Sequence, residues 1–230
     1  IPMVNIIDYI FLSESADSIK SPLTSAANFS EKFHTLWESE KPSYLRHYII
    51  NNVPYLFNTK PLLFEQIVQY LADKIEIPPS EIKLIGSAKT GFAISNPDYG
   101  KPFSPSSDLD FSIISEKLFN SLKEEFQYWA TLYEKKEINA PNDRQKLFWD
   151  GNAVSVPKQI KNGHIDSYKI PNYNQFPMAK SLNNSLSLVV LNLKSHHEIE
   201  VKKASARVYK SWQTFEAQIR RNTYAVLGSL

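Results

Sequence analysis

Apolar positions along the chain change their period close to the place where polar chemistry is densest. Over 61–74, Leu63, Phe64, Ile67, Val68 and Leu71 recur three and four residues apart, which lines them up on one stripe of a helix opened by Pro61. The chain then turns at PPSEI into a short apolar run, Ile82, Leu84 and Ile85, which reads as a strand and stops at Gly86-Ser87. A loop rich in Pro, Ser and Gly leads to a second apolar run, SDLDFSII, that carries Asp108 and Asp110. Side chains alternate along a strand, so both carboxylates project to one side while Leu109 and Phe111 face the other.

Around this pair of strands the pattern predicts mostly helix. Upstream, Asn28 and Glu31 have capping-box spacing, and Phe33, Leu36 and Trp37 follow at helical intervals. A second helix is expected over 42–51, ended before Pro54. Downstream, Ser115 caps a helix over 116–136 whose buried face is Leu118, Leu122, Phe126, Trp129 and Leu132. A short helix is expected over 143–148, and 152–176, with its Pro, Asn and Tyr residues, reads as an irregular connection. Leu182, Leu186, Val189, Val190 and Leu193 fit a helix better than a buried strand. A strand over 200–209 and a closing helix over 214–227 complete an α+β domain, a small sheet with helices packed against it. Residues 1–27 read as an N-terminal arm or linker, and 28–230 as one domain with a helical N-terminal part over 28–80.

Composition narrows the classes. At 230 residues the chain can bury a core without staples. It contains no cysteine, which excludes disulfides, thiolate chemistry and zinc–cysteine sites and agrees with a cytoplasmic setting. The apolar start is interrupted by Asp8 and lacks a basic leader, so no signal peptide is expected, and no run reaches membrane-spanning length. Net charge is +2, but from Lys194 onward seven Lys and Arg face three Glu. That basic end reads as a solvated face, with RNA or phosphate contact as the alternative.

Two carboxylates about 6–7 Å apart along a strand repel unless a cation lies between them. Mg2+ (or Mn2+) suits the gap, because it takes oxygen ligands and is commonly held by one or two carboxylates plus substrate phosphates. Gly86 permits close backbone approach, and Ser87 offers a hydroxyl and an N–H. Lys89 and Lys101 flank the loop within reach of phosphate, or are simply solvated. The adjacent His196 and His197 cannot both face one metal from a regular element, and His34, His47 and His164 are scattered. No Walker A, dinucleotide fingerprint or nucleophile elbow occurs.

The order strand, Gly86-Ser87, loop, Asp108-x-Asp110 resembles the nucleotidyltransferase superfamily with the polymerase-beta-like fold. More closely, GSAKTGFAIS followed by SDLDF is similar to a group of bacterial nucleotidyltransferase-like proteins, over roughly 44–212. The resemblance implies transfer of an NMP from an NTP to an RNA (tRNA included), protein or small-molecule acceptor. Asp108 and Asp110 would be the catalytic, metal-holding pair, and Gly86, Ser87 and Lys89 would cradle the nucleotide phosphates. The family adds a third carboxylate on a later strand. Here the expected strand reads KKASARVYK, leaving Glu198 and Glu200 at its start, or Asp166 in the connection, as candidates. The alternative is a nucleotide-binding or interaction module of the same fold, inactive or weakly active, in a bacterial defence or toxin–antitoxin complex.

Overall fold

The computed structural model describes residues 23–229 and is α+β, with a four-stranded mixed sheet. Strands β1 (Ile82–Ile85), β2 (Leu109–Ile114), β3 (His164–Asp166) and β4 (Ala204–Tyr209) are arranged in the order β1-β2-β4-β3. β2 and β4 are parallel, and each has an antiparallel partner on its outer side. Among the described residues, eight α-helices accompany the sheet: α1 (Ala26–Thr35), α2 (Lys41–Leu45), α3 (Pro61–Ile75), α4 (Ser87–Thr90), α5 (Glu116–Glu134), α6 (Asp143–Lys161), α7 (Pro177–His197) and α8 (Trp212–Leu227).

One face of the sheet is apolar. Ile82 and Leu84, then Leu109, Phe111 and Ile113, then Ala206 and Val208, then Ile165 make a continuous buried surface. The stripes of α3, α5 and α7 cover it, including Leu71, Leu122, Trp129, Leu182 and Leu193, each with no measurable exposure. At about 25 cal/mol per Å² of apolar area buried, this layer is the main favourable term in folding.

The other face is divided. Its far end, Ile114 and Tyr209, joins a second apolar cluster made by α1, the turn-rich segment 41–51 and α8, with Phe29, Phe33, Tyr44, Ile49 and Phe215 at its centre. Its near end, at the start of β2 and β4, keeps the polar residues.

Local signals explain most boundaries. Ser115 caps α5 by accepting from the Leu118 N–H, and Ser211 and Thr214 form a reciprocal capping box on α8. Pro61 opens α3, and α7 runs through the Leu182–Leu193 stripe as a helix.

Other boundaries differ from the sequence reading. The cap of α1 is Ser25, accepting from Asn28, so the helix starts inside the stretch assigned to an arm, and Trp37 lies beyond it, 67% exposed. Segment 42–51 is a short α-helix that widens into a π-helical turn, Arg46–Asn51. The short helix expected at 143–148 continues to Lys161 through Gly151 and Pro157, and the connection after it contains β3. Residues 1–22, where the apolar start and most of the proposed linker fall, lie outside the described residues. No helix among the described residues is long and apolar enough to cross a membrane.

Candidate functional site

The site is built where β1 ends and β2 begins. Gly86 has φ 72° and ψ −163°, a region essentially reserved for glycine. A Cβ placed there would stand 3.0 Å from Asp110 Oδ2, so the turn is bare on the side that faces the carboxylate. Ser87 follows at the start of α4, half-buried, and Thr90 ties the turn by donating its hydroxyl to the Gly86 and Phe92 carbonyls. The long loop to Asp108 is an ordered hairpin: Ala93 donates to Lys101, Gly100 to Ala93, and Phe103 to Gly91. Lys101 lies on this hairpin, exposed.

Asp108 is fixed from both sides by the backbone. The Lys202 N–H donates to the Ser107 carbonyl at 2.9 Å, and the Leu109 N–H donates to the Lys203 carbonyl at 2.8 Å. Its Oδ2 lies 3.4 Å from the Lys203 ammonium, while its Oδ1 is buried without a hydrogen-bond partner. Asp110 sits inside β2, opposite Ile85 on one side and Ser205 on the other. The Ser205 hydroxyl donates to its Oδ1 at 2.9 Å. Burial raises the Asp110 carboxyl above the usual carboxylate range; the Ser205 hydroxyl opposes this and the neighbouring charge of Asp108 adds to it.

These observations bear on a divalent cation. Two carboxylates interact beside a glycine turn, and one of them has a buried oxygen that nothing satisfies. A hard cation with oxygen preference meets both conditions, and Asp108 and Asp110 are the residues that fit it. No group of three or more His, Asp or Glu placed to share a metal occurs among the described residues.

The acids considered as a third member stand elsewhere. Glu198 takes the left-handed position that ends α7, and Glu200 is exposed, 3.5 Å from Lys194. Asp166 does lie on the polar face, on β3, but it is clasped by Arg207 of β4, whose Nε and Nη2 donate at 2.6 and 3.1 Å. Gln159 adds a third bond at 2.7 Å. Burial alone would raise the Asp166 carboxyl, yet the Arg207 contacts outweigh it and hold it below the usual range. The β4 position beside Asp110 is Ser205 instead.

Lys89 is also placed away from the phosphate side. It is 3% exposed, and its ammonium donates to the backbone carbonyls of Ile50 and Asn52, where burial and then Lys83 lower its pKa to about 8. It braces the end of the π-helical turn.

Sequence reasoning passed over Ser205, Arg207 and Lys203. The alternation of Ser205, Arg207 and Tyr209 along β4 is visible in the sequence, but it is the parallel pairing with β2, between segments far apart in the chain, that sets them on the face of Asp110. Comparison of the chain with protein-family models, with curated proteins and with solved structures finds no match.

Proposed function

We propose that this chain is a metal-dependent nucleotidyltransferase that binds an NTP at Gly86, Ser87, Asp108 and Asp110 and moves its NMP to an acceptor hydroxyl. The observation that carries the reading is the juxtaposition of the Gly86 turn with the Asp110 carboxylate, at 3.0 Å from the position a Cβ would take. The backbone of that turn carries no side chain for a phosphate to clear, and the two acids lie alongside.

Asp108 and Asp110 would hold magnesium or manganese, which neutralises phosphate charge when bound. The chain's own residues do the rest. Gly86 keeps the approach open, Ser87 offers its hydroxyl and N–H, and Ser205 orients Asp110 by bonding one oxygen and leaving the other toward the turn. In the transfer, the acceptor oxygen bonds to the α-phosphorus, the bond to the bridging oxygen breaks, and pyrophosphate leaves.

A second reading, nucleotide binding without efficient transfer, is favoured by one observation. Ser205 stands beside Asp110 where the resembled family has a carboxylate, and Asp166 is committed to Arg207, so the acceptor proton lacks a carboxylate partner at that position.

The test is incubation with Mn2+ and each of the four labelled NTPs against tRNA, protein and small-molecule acceptors. Pyrophosphate release with a labelled acceptor, abolished by Asp108→Ala together with Asp110→Ala, is the expected result. Mn-dependent NTP binding without turnover selects the second reading. Absence of NTP binding with either metal removes both.

A further inference from the structure

The polar face continues past the acid pair. Two residues beyond Asp166, the 3-10 turn Ser167–Lys169 presents Tyr168, which is 44% exposed, while its neighbour Ser167 is fully buried and bonded to Asn183 of α7. The turn is thereby anchored from behind and Tyr168 faces outward. Lys203 links this ring to the site: its ammonium lies 5.9 Å from the Tyr168 ring centroid and 3.4 Å from Asp108 Oδ2. Burial, and then the charges of Asp166, Asp110 and Asp108, hold the Tyr168 hydroxyl above its usual pKa, which places those carboxylates within electrostatic reach of it.

From Asp110 on β2, the sheet passes through Ser205 on β4 to the end of β3, where Tyr168 emerges. The Lys203 ammonium, 5.9 Å from the ring centroid and 3.4 Å from Asp108 Oδ2, sets the separation of the two sites, a span comparable to that between the base of a nucleotide and its phosphates. An aromatic ring held at that separation from a phosphate-and-cation site, with a lysine between them, has the layout of a stacking platform. Every nucleobase presents a π-face to such a ring, and an ammonium between ring and acid suits the sugar-phosphate portion.

We propose that Tyr168 is the surface on which the base of the bound nucleoside triphosphate stacks, with Lys203 beneath the linking phosphate. The proposal rests on the nucleotide site described above, and its test separates the two. Affinities of ATP, GTP, CTP and UTP, and of inorganic tripolyphosphate, which has no base, are measured with Mn2+ by calorimetry for the wild type, Tyr168→Leu and Tyr168→Phe. Circular dichroism verifies that the variants are folded.

The expected result is that Tyr168→Leu weakens the tightest NTP about tenfold, leaves tripolyphosphate unchanged, and that Tyr168→Phe restores wild-type binding. If Tyr168→Leu binds that NTP as the wild type does, or loses tripolyphosphate in equal measure, the stacking role is overturned while the phosphate site stands. If neither NTPs nor tripolyphosphate bind the wild type, the site and the stacking role fall together.

Discussion

Gly86 combines two demands that no other residue meets at once. Its backbone lies in a region closed to side chains, and a Cβ there would crowd Asp110 Oδ2 at 3.0 Å. Gly86→Ala is therefore expected to cost about 1–3 kcal/mol of stability and to displace the Asp110 carboxylate. A lower melting temperature accompanied by weaker Mn2+ binding checks both effects. Asp110 supplies a pH dependence. Its carboxyl is held above the usual range, so it keeps its proton at pH values where an ordinary aspartate, with pKa about 3.9, has lost it. The protonated form competes with a cation, so Mn2+ affinity should rise with pH through a midpoint above about 3.9. Replacing Ser205 by Ala, which removes a bond that lowers this pKa, should move the midpoint further up. A titration showing no midpoint above that value would contradict this account. Legibility at this scale was uneven. Gly86, Ser87, Asp108 and Asp110 could be read because a glycine turn and an i, i+2 acid pair carry their geometry locally. Arg207 and Asp166 could not, because their partnership is made by strand pairing between residues far apart in sequence.

At the scale of elements, α5 was readable from its Ser115 cap and its apolar stripe, whereas α6 was concealed by its own sequence. Gly151 and Pro157 are both helix-weakening residues, yet the helix runs through them to Lys161. Trp149 and Val156, buried in the core with Trp129 against Trp149 edge-on, supply tertiary contacts that override the local preference. Gly151 is exposed, has no positive φ, and a Cβ there would meet nothing within 4 Å. Gly151→Ala should accordingly stabilise the protein by about 0.5–1 kcal/mol, a rise of roughly 2–4 °C per kcal/mol in the melting temperature for a chain of this size. A fall instead would mean that the glycine serves a purpose the helix does not show.

Across the whole molecule, the sheet divides its labour between faces. The apolar face is sealed by α3, α5 and α7, and half of the polar face is sealed by the second cluster, which leaves the acid pair at the open half. Strand alternation made the two faces legible in β2, and the general α+β class followed from the mixture of periods. The order β1-β2-β4-β3 was not legible, since parallel pairing of β2 with β4 brings together segments separated by three long helices and β3. The second cluster joins Phe29 and Phe33, close to the start of the described chain, to Phe215 and Ile219, close to its end, and Phe33 meets Tyr224 edge-on at 5.2 Å. That seam can close only after the chain has left the ribosome as far as α8. Until then Phe33 lacks the Tyr224 ring that covers it, and this is the interval of biogenesis in which aggregation competes most directly with folding.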